Sequence, residues 1–213
     1  MPKIAGFYCE IDNPDGHGLP LVFLHGSGQD ETVWGDRAEC LGPDSPRIRL
    51  RGNVDWEDRY AFFRRRPDRS LDPEDLARSV AELAVFLENL TALLPDRPPV
   101  MVGYSNGAIA SAALAIKKPE ATRGAILMRP LSPDPDASFT GLDGYPFLLI
   151  SATDDERRAP GDAHVLAAQL RAAGAEVDHR DLACGHGWDE EGRDLELARQ
   201  WLDRLESMRT RAG

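Results

Sequence analysis

Val100-Met101-Val102-Gly103-Tyr104-Ser105-Asn106-Gly107-Ala108-Ile109-Ala110 is the stretch on which the fold turns. Its first three residues form a short apolar run that ends at a glycine, the pattern of a buried strand. Ala108 to Lys117 is rich in alanine and stops before Pro119, the pattern of a buried helix. Between strand and helix, Ser105 has room only for a sharp turn. Glycines two residues to either side relieve the crowding that such a turn creates. The helix that follows aims its free N–H groups and its dipole at the serine hydroxyl. With 10 serines and 19 glycines in the chain, chance yields about 0.08 copies of Gly-x-Ser-x-Gly, so the strand-turn-helix context is what adds specificity. The plainer alternative is an ordinary glycine-rich turn.

The same alternation extends in both directions. Leu21-Val22-Phe23-Leu24 reads as a buried strand ending at His25-Gly26, and Arg47-Ile48-Arg49-Leu50 as another before Gly52. Pro73 to Leu94 is the clearest helix: Asp72 suits the N-cap, Pro73 the first turn, and Leu76, Val80, Leu83, Leu87, Leu90 and Leu94 make one apolar stripe before Pro95. Ala125 to Met128 and Phe147 to Ile150 read as strands. Asp162 to Ala173 reads as a helix stopped by Gly174, Glu176 to Leu182 as a sixth strand, and Leu195 to Met208 as a closing amphipathic helix. Strands alternating with helices predict an α/β fold, a mostly parallel sheet with helices on both faces. Arg129 to Asp136 reads as a loop and Arg64-Arg65-Arg66 as a solvated face.

At 213 residues the chain fits one domain, 1–213, with a core that needs no metal or disulfide staple. Twenty-five basic and 36 acidic residues give a net charge of −11, which argues against nucleic acid and anionic membranes as partners. Cys9, Cys40 and Cys184 are odd in number and far apart, so free thiols in a reducing compartment are expected. The N-terminal residues lack the apolar run of a signal peptide, and the apolar stretch Ala108–Ile116 is about half a membrane span. A cytoplasmic location follows as an expectation.

Three features carry chemistry. Ser105 is the candidate nucleophile. Leu24-His25-Gly26-Ser27-Gly28 follows a strand and offers backbone N–H groups for a carbonyl oxygen that gains charge in acyl transfer. The amides of Ser27 and Asn106 are the two candidate donors, while His25 is expected to brace the loop through its ring. Downstream, Asp154 or Asp155 follows one strand and His186 the next, on the same sheet edge as Ser105. A serine needs a base and the base needs a carboxylate to fix its tautomer. The chain order Ser, Asp, His is that of α/β-hydrolases. His17 lies in a turn, His164 in a helix and His179 in mid-strand, and all three compete poorly for the base. No His, Cys, Asp or Glu spacing marks a metal site, and a gathering of His179, His186 and Asp155 round a cation is disfavoured, so no metal is expected. Cys184 reads as a small buried thiol.

From about Leu21 to Leu202 the chain resembles the phospholipase/carboxylesterase family of small α/β-hydrolases. The resemblance is carried by Leu24-His25-Gly26-Ser27-Gly28-Gln29-Asp30-Glu31, Arg51-Gly52-Asn53, Phe62-Phe63-Arg64-Arg65, Gly103-Tyr104-Ser105-Asn106-Gly107-Ala108, Ser151-Ala152-Thr153-Asp154-Asp155 and Gly185-His186. The Arg-Gly-Asn, Phe-Phe-Arg-Arg and Gly-Tyr-Ser-Asn-Gly-Ala segments are similar to the branch of hydroquinone-inducible bacterial hydrolases. The resemblance implies a fold without a cap domain, cofactor-free ester or thioester hydrolysis, and often a homodimer. It implies Ser105 as nucleophile, His186 as base, and Ser27 and Asn106 at the oxyanion hole. A small residue and a threonine followed by one variable position pick Asp155 over Asp154 as the acid. The chain departs from the family in Glu156-Arg157-Arg158-Ala159-Pro160, one residue longer before the proline, and in the polar run Gly187-Trp188-Asp189-Glu190.

The leading expectation is a serine hydrolase of small acyl esters. A thioesterase or lysophospholipase using the same triad is the enzymatic alternative. A catalytically silent ligand-binding protein is the alternative from another class. Trp34, Trp56, Phe62, Phe63, Phe139 and Trp188 are candidate pocket residues, and Arg64, Arg65, Arg66, Arg157 and Arg158 could make the surface near the site locally basic.

Overall fold

Strand and helix alternate into a single eight-stranded sheet. The structure is a computed structural model and describes residues 3–68, 70–94 and 97–212. The strands are β1 (Lys3–Ile4), β2 (Phe7–Asp12), β3 (Leu21–Leu24), β4 (Arg47–Leu50), β5 (Val54–Trp56), β6 (Arg59–Ala61), β7 (Val100–Tyr104), β8 (Gly124–Met128), β9 (Pro146–Ala152) and β10 (Glu176–Leu182). The helices are α1 (Gly35–Leu41), α2 (Pro73–Leu93), α3 (Asn106–Lys117), α4 (Asp162–Ala172) and α5 (Arg193–Ala212).

The spatial order is β1-β2-β4-β3-β7-β8-β9-β10, with β5 and β6 forming a separate hairpin. From β4 to β10 all neighbours are parallel, and β1 and β2 add an antiparallel edge. The expected parallel sheet is therefore present, with strands the sequence reading did not include. Asp72 caps α2 as expected, accepting from the amides of Glu74 and Asp75. That helix ends at Leu93, and the expected stop at Pro95 lies outside the described residues. Helix α5 starts two residues before the expected Leu195.

Helices cover both faces. Leu83, Phe86 and Leu87 of α2, Ile109 and Leu114 of α3, and Leu166 and Leu170 of α4 share one apolar cluster. Ala38 and Leu41 of α1 and Ala198, Trp201 and Leu202 of α5 build the other. A parallel sheet covered on both sides explains why every residue of β3, β7 and β8 is buried. Among the described residues no helix is long and apolar enough to cross a membrane.

This topology creates the crevice. After β3 the chain moves to β4 on one side, and after β7 to β8 on the other. The carboxyl ends of β3 and β7 therefore meet at a topological switch point, where ligands of open α/β sheets bind. Leu24 stands in register with Gly103, so the loops after the two strands emerge level.

Candidate active site

Ser105 occupies the sharp turn that the motif requires. Its backbone is left-handed, with φ +52° and ψ −106°, a costly conformation for a residue with a Cβ. The flanking glycines are demanded by close approach. A Cβ on Gly103 would stand 2.5 Å from the Gly107 carbonyl oxygen, and one on Gly107 would stand 2.4 Å from the Leu24 carbonyl oxygen. Strand β7, helix α3 and strand β3 thus touch backbone to backbone.

Three side chains converge. His186 Nε2 lies 2.9 Å from Ser105 Oγ. His186 Nδ1 lies 2.9 and 2.7 Å from the two carboxylate oxygens of Asp155. Asp155 is the acid that reaches the imidazole, whereas Asp154 is exposed and its carboxylate accepts from Thr153 Oγ1. With Nδ1 donating to Asp155, Nε2 is left free to accept the serine proton. Burial pulls the His186 pKa below its ordinary value, opposed by the Asp155 hydrogen bond and assisted by Arg158.

Three neighbouring loop amides are already bonded within the fold. Gly26 N–H donates to Gln29 Oε1 at 2.9 Å, Gly28 N–H to the Tyr60 carbonyl at 3.0 Å, and Gly107 N–H to the His25 carbonyl at 3.1 Å. Among the described residues, the amides of Ser27 and Asn106 have no acceptor. Ser27 lines the same recess as Ser105, and Asn106 directly follows Ser105 in the chain.

The loops are fastened by groups whose roles the sequence left partly open. His25 is fully buried; its Nε2 accepts from Gly52 N–H at 2.9 Å and its Nδ1 donates to the Gly26 carbonyl at 2.7 Å. Burial takes its pKa down to about 4, so the ring is neutral and bridges the ends of β3 and β4. The Asn106 side chain accepts from Phe62 N–H at 2.8 Å and donates to the Phe63 carbonyl at 3.1 Å. Arg51 forms a forked pair with the buried Glu31, its Nε at 2.6 Å from Oε2. The first four motif segments that carry the sequence resemblance are joined by these bonds.

Several sequence expectations need correction. Arg129 does open a loop, as expected, but it is fully buried and pairs with buried Asp194 at 2.8 Å. It also donates to the Gly187 carbonyl at 2.9 Å, holding the His186 loop from beneath. No sequence signal links Arg129 to an aspartate 65 residues downstream. Tyr104 likewise escaped notice: its hydroxyl donates to the His186 carbonyl and its ring stacks on Trp188, with centroids 4.8 Å apart. The polar run after His186 serves structure, because Asp189 accepts from the amides of Glu191 and Arg193 at the start of α5. Cys184 is half-buried and its Sγ accepts from Arg129.

The Arg64–Arg66 run is not uniformly a solvated face, since Arg65 turns toward Ser105 while Arg64 and Arg66 stay exposed. Two recesses open on the serine. One, of about 220 Å³, is lined by Ser27, Tyr104, His186 and Trp188. The other, of about 250 Å³, is lined by Trp56, Arg65, Arg157 and Arg158. Of the six candidate pocket aromatics only Trp56 and Trp188 line them. Trp34, Phe62 and Phe63 are buried in the core and Phe139 packs against it, because their positions on the sheet and its loops point them at the helix layers. His164, His179 and Asp181 bring ligand atoms within 4.8 Å of one another, a grouping outside the triad that could hold a cation.

No protein-family model matches this chain. The Bacillus cereus carboxylesterase superposes with a TM-score of 0.86 at 28% identity, covering 93% of this chain and 94% of that one. A carboxylesterase from Mesorhizobium loti superposes with a TM-score of 0.85 at 29% identity over 95% of this chain and 97% of that one. This chain has the α/β-hydrolase fold. MhqD of Bacillus subtilis (strain 168), a protein assigned as a hydrolase, is 27% identical over 183 residues, 85% of this chain and 90% of that one. The resemblance read from the motifs therefore holds across most of the α/β-hydrolase chain.

Proposed function

We propose that this α/β-hydrolase cleaves small carboxylic esters through an acyl-enzyme on Ser105. The single observation that carries the reading is the continuous chain of hydrogen bonds from Ser105 Oγ through His186 to Asp155. The carboxylesterase relatives support ester hydrolysis as the reaction class.

His186 Nε2 takes the Ser105 proton as Oγ attacks the ester carbonyl carbon. Negative charge then grows on the carbonyl oxygen, where the amides of Ser27 and Asn106 stabilise it, each worth about 3 kcal/mol in such sites. Asp155 holds the imidazole in the required tautomer and balances the imidazolium. His186 next gives its proton to the leaving alcohol oxygen, and the ester C–O bond breaks. Water, deprotonated by the same imidazole, attacks the acyl-enzyme and releases the acid. The two recesses lie below the volume of a typical drug-sized pocket, about 300 Å³ and upward, which favours short substrates over long acyl chains.

Short-chain aryl ester hydrolysis followed by absorbance tests the proposal. Ser105→Ala is expected to lose activity by about 10⁴-fold or more. A fluorophosphonate is expected to label the wild type at Ser105 and leave the variant unlabelled. Absence of turnover across several acyl lengths, together with no labelling of Ser105, overturns it.

A further inference from the structure

Arg158 places a guanidinium against the nucleophile without a carboxylate to match it. Its Nη2 lies 3.1 Å from Ser105 Oγ. Nε and Nη2 also donate to the Arg129 carbonyl at 3.0 and 2.8 Å, and Nη1 donates to the Arg157 carbonyl at 3.1 Å. These bonds to neutral acceptors fix the plane of the guanidinium, and Asp155 and Asp162 offset its charge only from beyond ion-pair distance. Among the described residues no carboxylate lies within ion-pair distance of Arg158. The side chain is half-buried, and burial together with nearby Arg65 lowers its pKa to about 10. The site thus resists a charge that it nevertheless holds in place, which a bound anion would relieve.

The position of His186 tells which part of an ester meets this charge. The leaving oxygen must receive its proton from His186, so the alcohol belongs in the recess that His186 lines with Tyr104 and Trp188. The other recess, where Arg65 and Arg158 join an Arg157 that borders both, lacks His186 and takes the acyl portion. Glu57 and Glu156 also border it, but both are exposed. The innermost charged group, and the one in contact with Ser105, is Arg158.

We propose that Arg158 selects esters whose acyl portion carries a carboxylate, that is, monoesters of short dicarboxylic acids. The inference rests on Ser105 being the nucleophile. A carboxylate two or three carbons from the scissile carbonyl reaches the guanidinium while the carbonyl stays on Oγ. Water and the monoester yield the dicarboxylate and the free alcohol.

The test pairs ethyl hydrogen succinate with its neutral isostere, in which an isopropyl group replaces the carboxylate. The wild type is expected to favour the charged ester in kcat/KM by at least about tenfold, mostly through KM. Arg158→Gln is expected to bring the ratio close to one, and Arg158→Lys to keep part of it. Calorimetry supplies a readout independent of turnover: Ser105→Ala is expected to bind succinate, and Ser105→Ala/Arg158→Gln not to. Hydrolysis of both esters with a ratio near one overturns the selectivity and leaves ester hydrolysis standing. No hydrolysis of either ester, with succinate still bound through Arg158, overturns the reaction and keeps the anion site. No succinate binding in Ser105→Ala overturns the inference.

Discussion

The two sides of the Ser105 crevice are held by different forces. On the side of β3, β4 and β7, shape and neutral hydrogen bonds set the loops, with one ion pair, Arg51 to buried Glu31, tying the loop after β3 to the end of β4. Gly103 and Gly107 admit backbone contacts that any Cβ would break, neutral His25 spans two strand ends, and the Asn106 amide ties down Phe62 and Phe63. On the side of β8, β9 and β10, the acid and base loops are locked largely by charge. Buried Arg129 pairs with Asp194 and reaches the His186 loop, while Asp189 fastens the start of α5. The nucleophile can be presented by rigid backbone because it needs one fixed position. In the proposed mechanism the imidazole changes its charge during turnover, and a polar scaffold tolerates that change better than an apolar one.

The sharpest way to break this comparison is at the charged side's catalytic end. Asp155→Asn is expected to lower kcat by about 10⁴-fold on a short-chain ester, because an amide no longer fixes the imidazole tautomer. Asp154→Asn, one residue away and exposed, is expected to stay within about twofold of wild type; equal losses in the two variants would refute the division of roles. The next effect is on stability. Arg129→Met leaves Asp194 buried and unpaired, which costs about 3–5 kcal/mol and is read by urea unfolding. Adding Asp194→Leu is expected to recover much of that loss, and no recovery would mean that the pair is not what Arg129 supplies.

The smallest effect tests the neutral side. His25 titrates near 6.5 when unfolded and is held down to about 4 when folded. Between those values the unfolded chain binds the extra proton. His25's contribution is therefore complete above pH 6.5 and is lost as pH falls toward 4, a change of about 3 kcal/mol. Urea midpoints measured across that window are expected to fall less steeply for His25→Gln than for wild type. Parallel slopes would show that His25 is not the group responsible.

The same contrast governs what the sequence disclosed. Shape-locked features leave local signatures: glycines at fixed offsets, apolar runs, and an Asp-Pro helix start announced the sharp turn at Ser105, helix α2 and the parallel strands. Charge-locked features join residues far apart in the chain. Arg129 and Asp194 are 65 positions apart, and neither residue alone reveals that it is buried. Between Asp154 and Asp155 the residues themselves left the acid open, because the choice depends on how the loop after β9 bends; only the family pattern favoured Asp155. Strand β2 did carry a legible signal, with Phe7 and Cys9 buried and Tyr8 exposed between them. Helix α1 carried little, being only seven residues long and opening on glycine. Arg65 looked like part of a solvated run because three successive arginines give no hint that a turn will send one of them inward.

The chain contains four tryptophans, and their placement has an optical consequence. Trp188 lies at the recess containing His186, and Trp56 at the recess containing Arg158. Trp34 and Trp201 are buried in the core and line neither recess, although Trp34 packs edge-on against Trp188. The two ends of a bound ester would therefore each meet a different fluorophore. Replacing Trp188 or Trp56 singly with phenylalanine assigns the emission change of each, so that departure of the alcohol and release of the acid become separate signals within one turnover.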